Sequence, residues 1–523
     1  MKITSFLKQR QSSLAAAMLS VFLLLACSSH DKSGGEERAS GENVLRYDVN
    51  APFTSLNPAE IDFSGSTHVF PLLYSYLCVP NAKGELEPDL AESRTYNPGT
   101  RTWTIRLRRD ARFHDGSPVL SGDVLFSFNT QLKRLCPDLF GQIDRISLPS
   151  DSELLLTLRR DDPEFLKKVW QMEIIPRSSG KCDFYNHPTG SGPFRFKSRK
   201  EDREIVLEAN PDYFGGRPSL DRVVFWYQPD KEKAWARLLS DHTDIAQELS
   251  PRNYRMMQAH GDRYYFDLYP LNYYTVLLYN TADRRFSDPR VRLALSYAVD
   301  REFIVRDILG GFGKVAAFLP ESRCGSAETE PVAAYNPGKA LALLREAGWA
   351  SDESGHWLRK NGKPFDFTIL LFDEHKIEKK VAAYLQLCLS DIGIRTLIKA
   401  LPFKELAARY CRNTEFQTVM TEFRGGSCSE LLCRNPEDSQ AEFSDRDEFS
   451  RLARGAGFKR NREKPEIVEG IVNESIASSQ PAVFLFQKTA IDAMSKRFSL
   501  SFPFSLTYQG IYHLKDISLK HRP

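Results

Sequence analysis

Residues Ala91–Phe128 read AESRTYNPGTRTWTIRLRRDARFHDGSPVLSGDVLFSF. Trp103, Ile105 and Leu107 alternate with Thr102, Thr104, Arg106 and Arg108, the period of a half-buried strand with one polar face. The arginines are therefore the solvated side of a strand. Phe113-His114-Asp115-Gly116-Ser117-Pro118 carries turn chemistry, with Asp-Gly and Pro setting the backbone. Ser121 is placed to cap a helix with Val124, Leu125, Phe128, Leu132 and Leu135 on one face. His114 and Asp115 do not read as a catalytic pair, because neighbours on a turn rarely converge and no nucleophile is evident nearby.

The N-terminus sets the compartment. Lys2, Lys8 and Arg10 precede an uncharged run, Leu14–Ala26, of signal-peptide length and too short to span a bilayer comfortably. The run ends in Leu24-Leu25-Ala26-Cys27, which resembles a bacterial lipobox, with cleavage before Cys27 and acylation of it expected. Two or three acyl chains anchor stably where one is marginal. Ser28–Glu42 is rich in Ser, Gly and charge and reads as a flexible tether.

The formal net charge is +3, and removal of the signal peptide takes away three cationic residues. A near-neutral exported chain is a poor nucleic-acid binder, since that affinity rests on excess Lys and Arg. The length implies two or more lobes. Of the nine cysteines, Cys78 and Cys388 lie in apolar contexts and read as buried thiols. No spacing supports a zinc site, and no other metal or cofactor is expected. Cys428 and Cys433 are close enough in sequence for a disulfide, and export permits one; free thiols are the other reading.

Downstream, the pattern is mixed α/β. Asp288-Pro289, Asp300 and Asn336-Pro337 open helices; Gly310-Gly311 and Gly348 close them. Ile377, Val381, Tyr384, Leu385 and Cys388 mark a long amphipathic helix that breaks at Gly393 before a strand over Ile394–Ile398.

Ala91–Phe113 resembles the signature of the family 5 extracellular solute-binding proteins, the peptide-, dipeptide- and nickel-binding lipoproteins of bacterial ABC importers. LNPAEID, GSGPFRF, LEANPDYFGG, DPRVRLALSYAVDREFIV, YNPGKALALLREAGW and LQLCLSDIGI agree in order and spacing. The resemblance implies two α/β lobes of periplasmic-binding-protein type, joined by hinge strands, with an extra subdomain in the N-terminal lobe. It places lobe I at 44–72, 188–271 and 484–523, the subdomain at 73–187 and lobe II at 272–483. It makes the opening stretch subdomain scaffold.

The same resemblance places the ligand in the cleft between lobes. It assigns Phe63, Ser64, Gly65 and Ser66 to a segment whose backbone lines that cleft, and Phe403 to an aromatic against the ligand. Tyr273 and Tyr274 fall at the crossing between lobes; Asn280 reads as hinge packing. Peptide binders of the family pair an acid of lobe II with the ligand's α-ammonium. A gap-free comparison puts Gly426 at that position, with Phe423, Arg424 and Gly425 before it. Two readings stay open. A short insertion would let Cys428-Ser429-Glu430 supply the acid through Glu430. Without one, Arg424 would make the site attractive to an anion.

The expected function is a lipid-anchored, exported receptor that captures small peptides and delivers them to an ABC permease. Specialised ligands on the same scaffold are the alternatives: acidic or modified peptides such as glutathione or cell-wall peptides, metal chelates, or haem. A surface adhesin or chaperone is another. No G-x-S-x-G or H-E-x-x-H string appears, so no enzyme is expected.

Overall fold

The computed structural model describes residues 43–60, 65–81, 85–178, 184, 186–259, 262–316, 333–352, 355–409, 416–424, 480–500, 511 and 513–520. Cys27 and the tether lie outside them. No described helix is long and apolar enough to cross a membrane.

Among the described residues one eleven-stranded sheet runs through both lobes. Two long strands form its middle: an outgoing strand, Tyr264–Tyr279, and an antiparallel return strand, Ala482–Ser495. On one side of this pair stand Thr418–Arg424, Asp366–Phe372 and Arg395–Leu401. On the other stand Ile245–Ala246, Val44–Val49, Arg222–Tyr227, Glu204–Ala209 and Phe194–Lys200. The ladder between the two long strands shifts register between Pro270 and Tyr274. Their side chains change cores there. Leu277, Tyr279, Val483, Leu485 and Phe486 pack into the second lobe, beneath the helices Pro289–Tyr297 and Lys376–Asp391. Tyr265 and Met494 pack with the first lobe. The return strand therefore changes cores near Gln487–Thr489.

The opening stretch folds as its pattern dictates. Thr102–Leu107 lies between Ala91–Asn97 and Glu153–Leu158 in a four-stranded antiparallel sheet. Trp103, Ile105 and Leu107 face the core that also takes Val124, Phe128 and Leu132. Two local details differ from expectation. Ser121 is the first helical residue, and its hydroxyl bonds Ser150 O; Asp123 caps instead, Oδ2 accepting from the Leu120 amide at 2.8 Å. Ile377 is 36% exposed, because the buried stripe of its helix runs through Glu378, Val381, Leu385 and Cys388. The other starts and stops hold: the side chains of Asp288, Asp300 and Asn336 accept amides of their first turns, and Gly310, Gly311, Gly348 and Gly393 have positive φ.

His114 fastens the subdomain to lobe I. Its Nδ1 accepts from the Gly190 amide at 3.3 Å, so Nε2 carries the proton towards Gly192 O at 3.1 Å. Burial, the largest influence, pushes this imidazole down to about 4 and keeps it neutral. Asp115 accepts the amide and hydroxyl of Ser117 within the turn.

Candidate functional site

Strand direction locates the crevice. Ile245 pairs with Met494 and Ala246 with Ala493, so this strand runs towards the crossing. Val44–Val49 is parallel to it, and Arg222–Tyr227 is parallel to Val44–Val49. In the second lobe Thr418 pairs with Tyr279 and Arg424 with Tyr273, so that strand also runs towards the crossing. Asp366–Phe372 is parallel to it, and Arg395–Leu401 to Asp366–Phe372. The carboxyl ends of both sets of parallel strands thus converge on the two crossing strands. Ligands of open α/β sheets bind outside the carboxyl ends of strands.

On the first-lobe side, Gly65 and Ser66 begin a short 3-10 turn, Gly65–His68, and both are buried. A Cβ on Gly65 would stand 2.4 Å from Ala51 O, so the close backbone approach requires glycine. Ser66 Oγ accepts from the Thr54 amide at 3.1 Å. His68 Nδ1 meets the Tyr47 hydroxyl at 3.3 Å, and burial pushes His68 down to about 4. At the end of Ile245–Ala246, Glu248 takes φ 51, a left-handed conformation costly for a residue with a side chain. Its carboxylate is held by Asn50 at 2.6 Å and by Lys231. Its amide donates to Asp492 Oδ1 at 2.8 Å, and the Tyr269 hydroxyl donates to Asp492 Oδ2 at 3.0 Å.

At the crossing, Tyr273 and Tyr274 pair with Arg424 and Phe423 across the ladder. Tyr274 is 8% exposed, and Gln487 Nε2 donates to its hydroxyl at 3.3 Å and to Leu271 O at 2.9 Å. Asn280 bonds Phe416 O and caps the turn at Ala282, a packing role.

On the second-lobe side, Lys488 of the return strand donates to Glu378 at 2.6 Å and to Glu422 at 2.5 Å. Burial alone pushes the Lys488 ammonium down, but the two carboxylates outweigh it and hold it above its usual range. Burial likewise raises Glu378, and Lys488 outweighs that and holds it low. His375 lies 3.9 Å from the other Glu378 oxygen. One lysine thus stands between two carboxylates at this edge.

Of the residues the sequence singles out, Gly65, Ser66, Tyr273 and Tyr274 come to the crossing or to a carboxyl edge that faces it. Phe423 and Arg424 end their strand there, and Phe403 opens a short helix directly after Arg395–Leu401. Phe63, Ser64, Gly425, Gly426, Cys428 and Glu430 lie outside the described residues, as does Cys433. Sequence reasoning missed Glu248, Asp492, Lys488, Glu378 and Glu422. A signal existed: Lys488 and Asp492 interrupt the apolar run Val483–Met494, and Glu378 shares the buried stripe of its helix. Among the described residues no group of three or more His, Cys, Asp or Glu is placed to hold a metal ion.

Comparison with known proteins agrees with this geometry. The sequence model of the bacterial extracellular solute-binding proteins, family 5, matches residues 85–428, roughly two thirds of the chain. The oligopeptide-binding protein AppA of Bacillus subtilis is 29% identical over 434 residues, covering 76% of this chain and 78% of AppA. The solved structure of AppA with a nonapeptide covers 91% of this chain and 99% of AppA, with TM-score 0.68 and 25% identity. NikA of Brucella suis, solved with Fe(III)-EDTA, shares the fold at TM-score 0.74 and 21% identity, covering 91% of this chain and all of NikA (100%).

Proposed function

The chain belongs to the family 5 bacterial extracellular solute-binding proteins, and from that premise we propose that it captures small peptides in the crevice between its lobes and delivers them to an ABC permease. The observation that carries the reading is the convergence of both lobes' strand ends on two crossing strands. Such a joint allows the lobes to close on a ligand by hinge motion. AppA, similar over most of its length, is an oligopeptide-binding protein solved with a nonapeptide. The chain is exported and held to the membrane through acylated Cys27, with Ser28–Glu42 as its tether. The subdomain spans about 73–187, lobe I takes 44–72, 188–271 and 484–523, and lobe II takes 272–483. Gly65, Ser66, Tyr273, Tyr274, Phe403, Phe423 and Arg424 line the crevice, with Phe63 and Ser64 and the segment through Gly425, Gly426, Cys428 and Glu430 completing it. The protein acts by binding, with no catalytic step.

The test uses the soluble chain from Ser28 onward, incubated with a defined library of three- to nine-residue peptides and passed through gel filtration. Peptide masses that elute with the protein support the reading. Retention of no peptide, with retention of a metal chelate offered in parallel, overturns it.

A further inference from the structure

Asp492 is buried in a way that capture alone does not require. It lies on the return strand just past the crossing and is 0% exposed. Its oxygens accept from the Glu248 amide and the Tyr269 hydroxyl, and neither donor is a cation. Among the described residues no Lys or Arg pairs with it. The groups that face it are Tyr269 and Asp267 from the outgoing strand, Glu248 from the turn after Ala246, and Tyr47 from the first strand. Behind these, neutral His68 meets Tyr47, and Lys231 is engaged by Glu248. A carboxylate without water or counter-ion favours its protonated form. Burial first, then the charges of Glu248 and Asp267, outweigh the two hydrogen bonds and push this carboxyl up to about 7.

We propose that Asp492, Tyr269 and the Glu248 amide form a proton switch in the hinge. Ionised Asp492 has no proton to give, so at 3.0 Å it accepts from the Tyr269 hydroxyl. Protonated Asp492 carries the added proton on Oδ2 and the bond reverses: Asp492 donates and the Tyr269 oxygen accepts. The Tyr269 hydroxyl proton is then free for an acceptor in the crevice, such as a ligand carbonyl. Oδ1 keeps the Glu248 amide in both states. One proton enters from solvent, and no other covalent bond is made or broken. The crevice half of this proposal rests on the peptide reading; the proton site does not.

Two measurements separate the halves. The first is urea unfolding of the wild type and Asp492→Asn between pH 5 and 8. A folded-state value of about 7 against 3.8 when unfolded means that Asp492 stabilises the fold fully below 3.8 and loses that effect as pH rises through 7. The ratio of wild-type to variant folding constants should therefore fall about a hundredfold from pH 5 to pH 8. A ratio that does not change with pH overturns the proposal. The second is binding of a random pentapeptide library at pH 6 and pH 8. Wild type should bind about fivefold more tightly at pH 6, the worth of roughly one hydrogen bond. Asp492→Asn, whose amide can donate to Tyr269, should hold the tighter value at both pH values, and Tyr269→Phe should hold the weaker one. A pH difference that survives in either variant overturns the switch. If no variant retains peptide at either pH, the peptide reading and the crevice half both fall, and the stability ratio alone upholds or overturns the proton site.

Discussion

Replacing Lys488 with methionine removes the cation from between two carboxylates while keeping the length of the side chain. Its partners differ in burial: the Glu378 side chain is 3% exposed and that of Glu422 is 27%, with Lys488 itself at 22%. Breaking a fully buried pair costs about 3–5 kcal/mol. Solvent at Lys488 and Glu422 screens part of this, so the expected loss at pH 8 is about 2–3 kcal/mol. The pH dependence is diagnostic. With Lys488 present, Glu378 sits below its usual range, so its contribution is present above 4.5 and is lost as pH falls through the folded-state value. Without Lys488, burial dominates and raises Glu378, so the variant loses stability as pH rises through that raised value. The penalty of Lys488→Met should therefore be larger at pH 8 than at pH 5. Urea unfolding followed by circular dichroism reads it, and the double variant Glu378→Gln, Lys488→Met should recover most of the loss. A penalty equal at both pH values, or one under about 0.5 kcal/mol as for an ordinary surface change, refutes the reasoning.

Other expectations concern the frame around the crevice. His68 and His114 are held near 4 from 6.5 by burial, so each stabilises the fold above 6.5 and loses that effect as pH falls towards 4. Each contributes up to about 3 kcal/mol to this acid sensitivity, and a His114→Asn variant should show a shallower fall of melting temperature between pH 6.5 and 4.5. Gly190→Ala brings a Cβ to 1.9 Å from Leu73 O, and Gly65→Ala brings one to 2.4 Å from Ala51 O. Each should cost about 1–3 kcal/mol or more in urea unfolding. Arg497 makes two 2.6 Å bonds to the Asp244 carboxylate, whose side chain is 2% exposed. Arg497→Met should cost about 2–3 kcal/mol and Asp244→Asn less, because the charge left by the second change is a guanidinium 25% exposed to solvent that keeps its bond to Val44 O.

What could be read from sequence was local. Alternation at Trp103, Ile105 and Leu107 gives the strand, and Asp288-Pro289 and Gly393 give helix ends, because period and capping act within a few residues. The reading slipped where two candidates compete at short range. Ser121 and Asp123 can both serve the first turn, and the carboxylate prevails while the hydroxyl turns to Ser150. On the return strand Gln487, Lys488 and Thr489 break the apolar run where its side chains change cores. The charged crevice residues stand out singly in the sequence, but their pairing does not. Lys488 meets Glu378 across 110 positions, and Asp492 meets Glu248 across 244. No periodicity reports such pairs, and they exist only once both lobes have folded onto the crossing strands. Of the residues assigned through family resemblance, Tyr273, Tyr274, Phe423 and Arg424 pair across the ladder at the crossing.

The central claim is that the crevice at the crossing strands is a peptide receptor. Native mass spectrometry of the chain from Ser28 onward, as purified and again after unfolding and refolding, tests it most directly. The account predicts a mixture of added masses in the peptide range that disappears on refolding and returns when a peptide library is supplied. A protein that carries no added mass in the first state and retains no peptide in the last would contradict it.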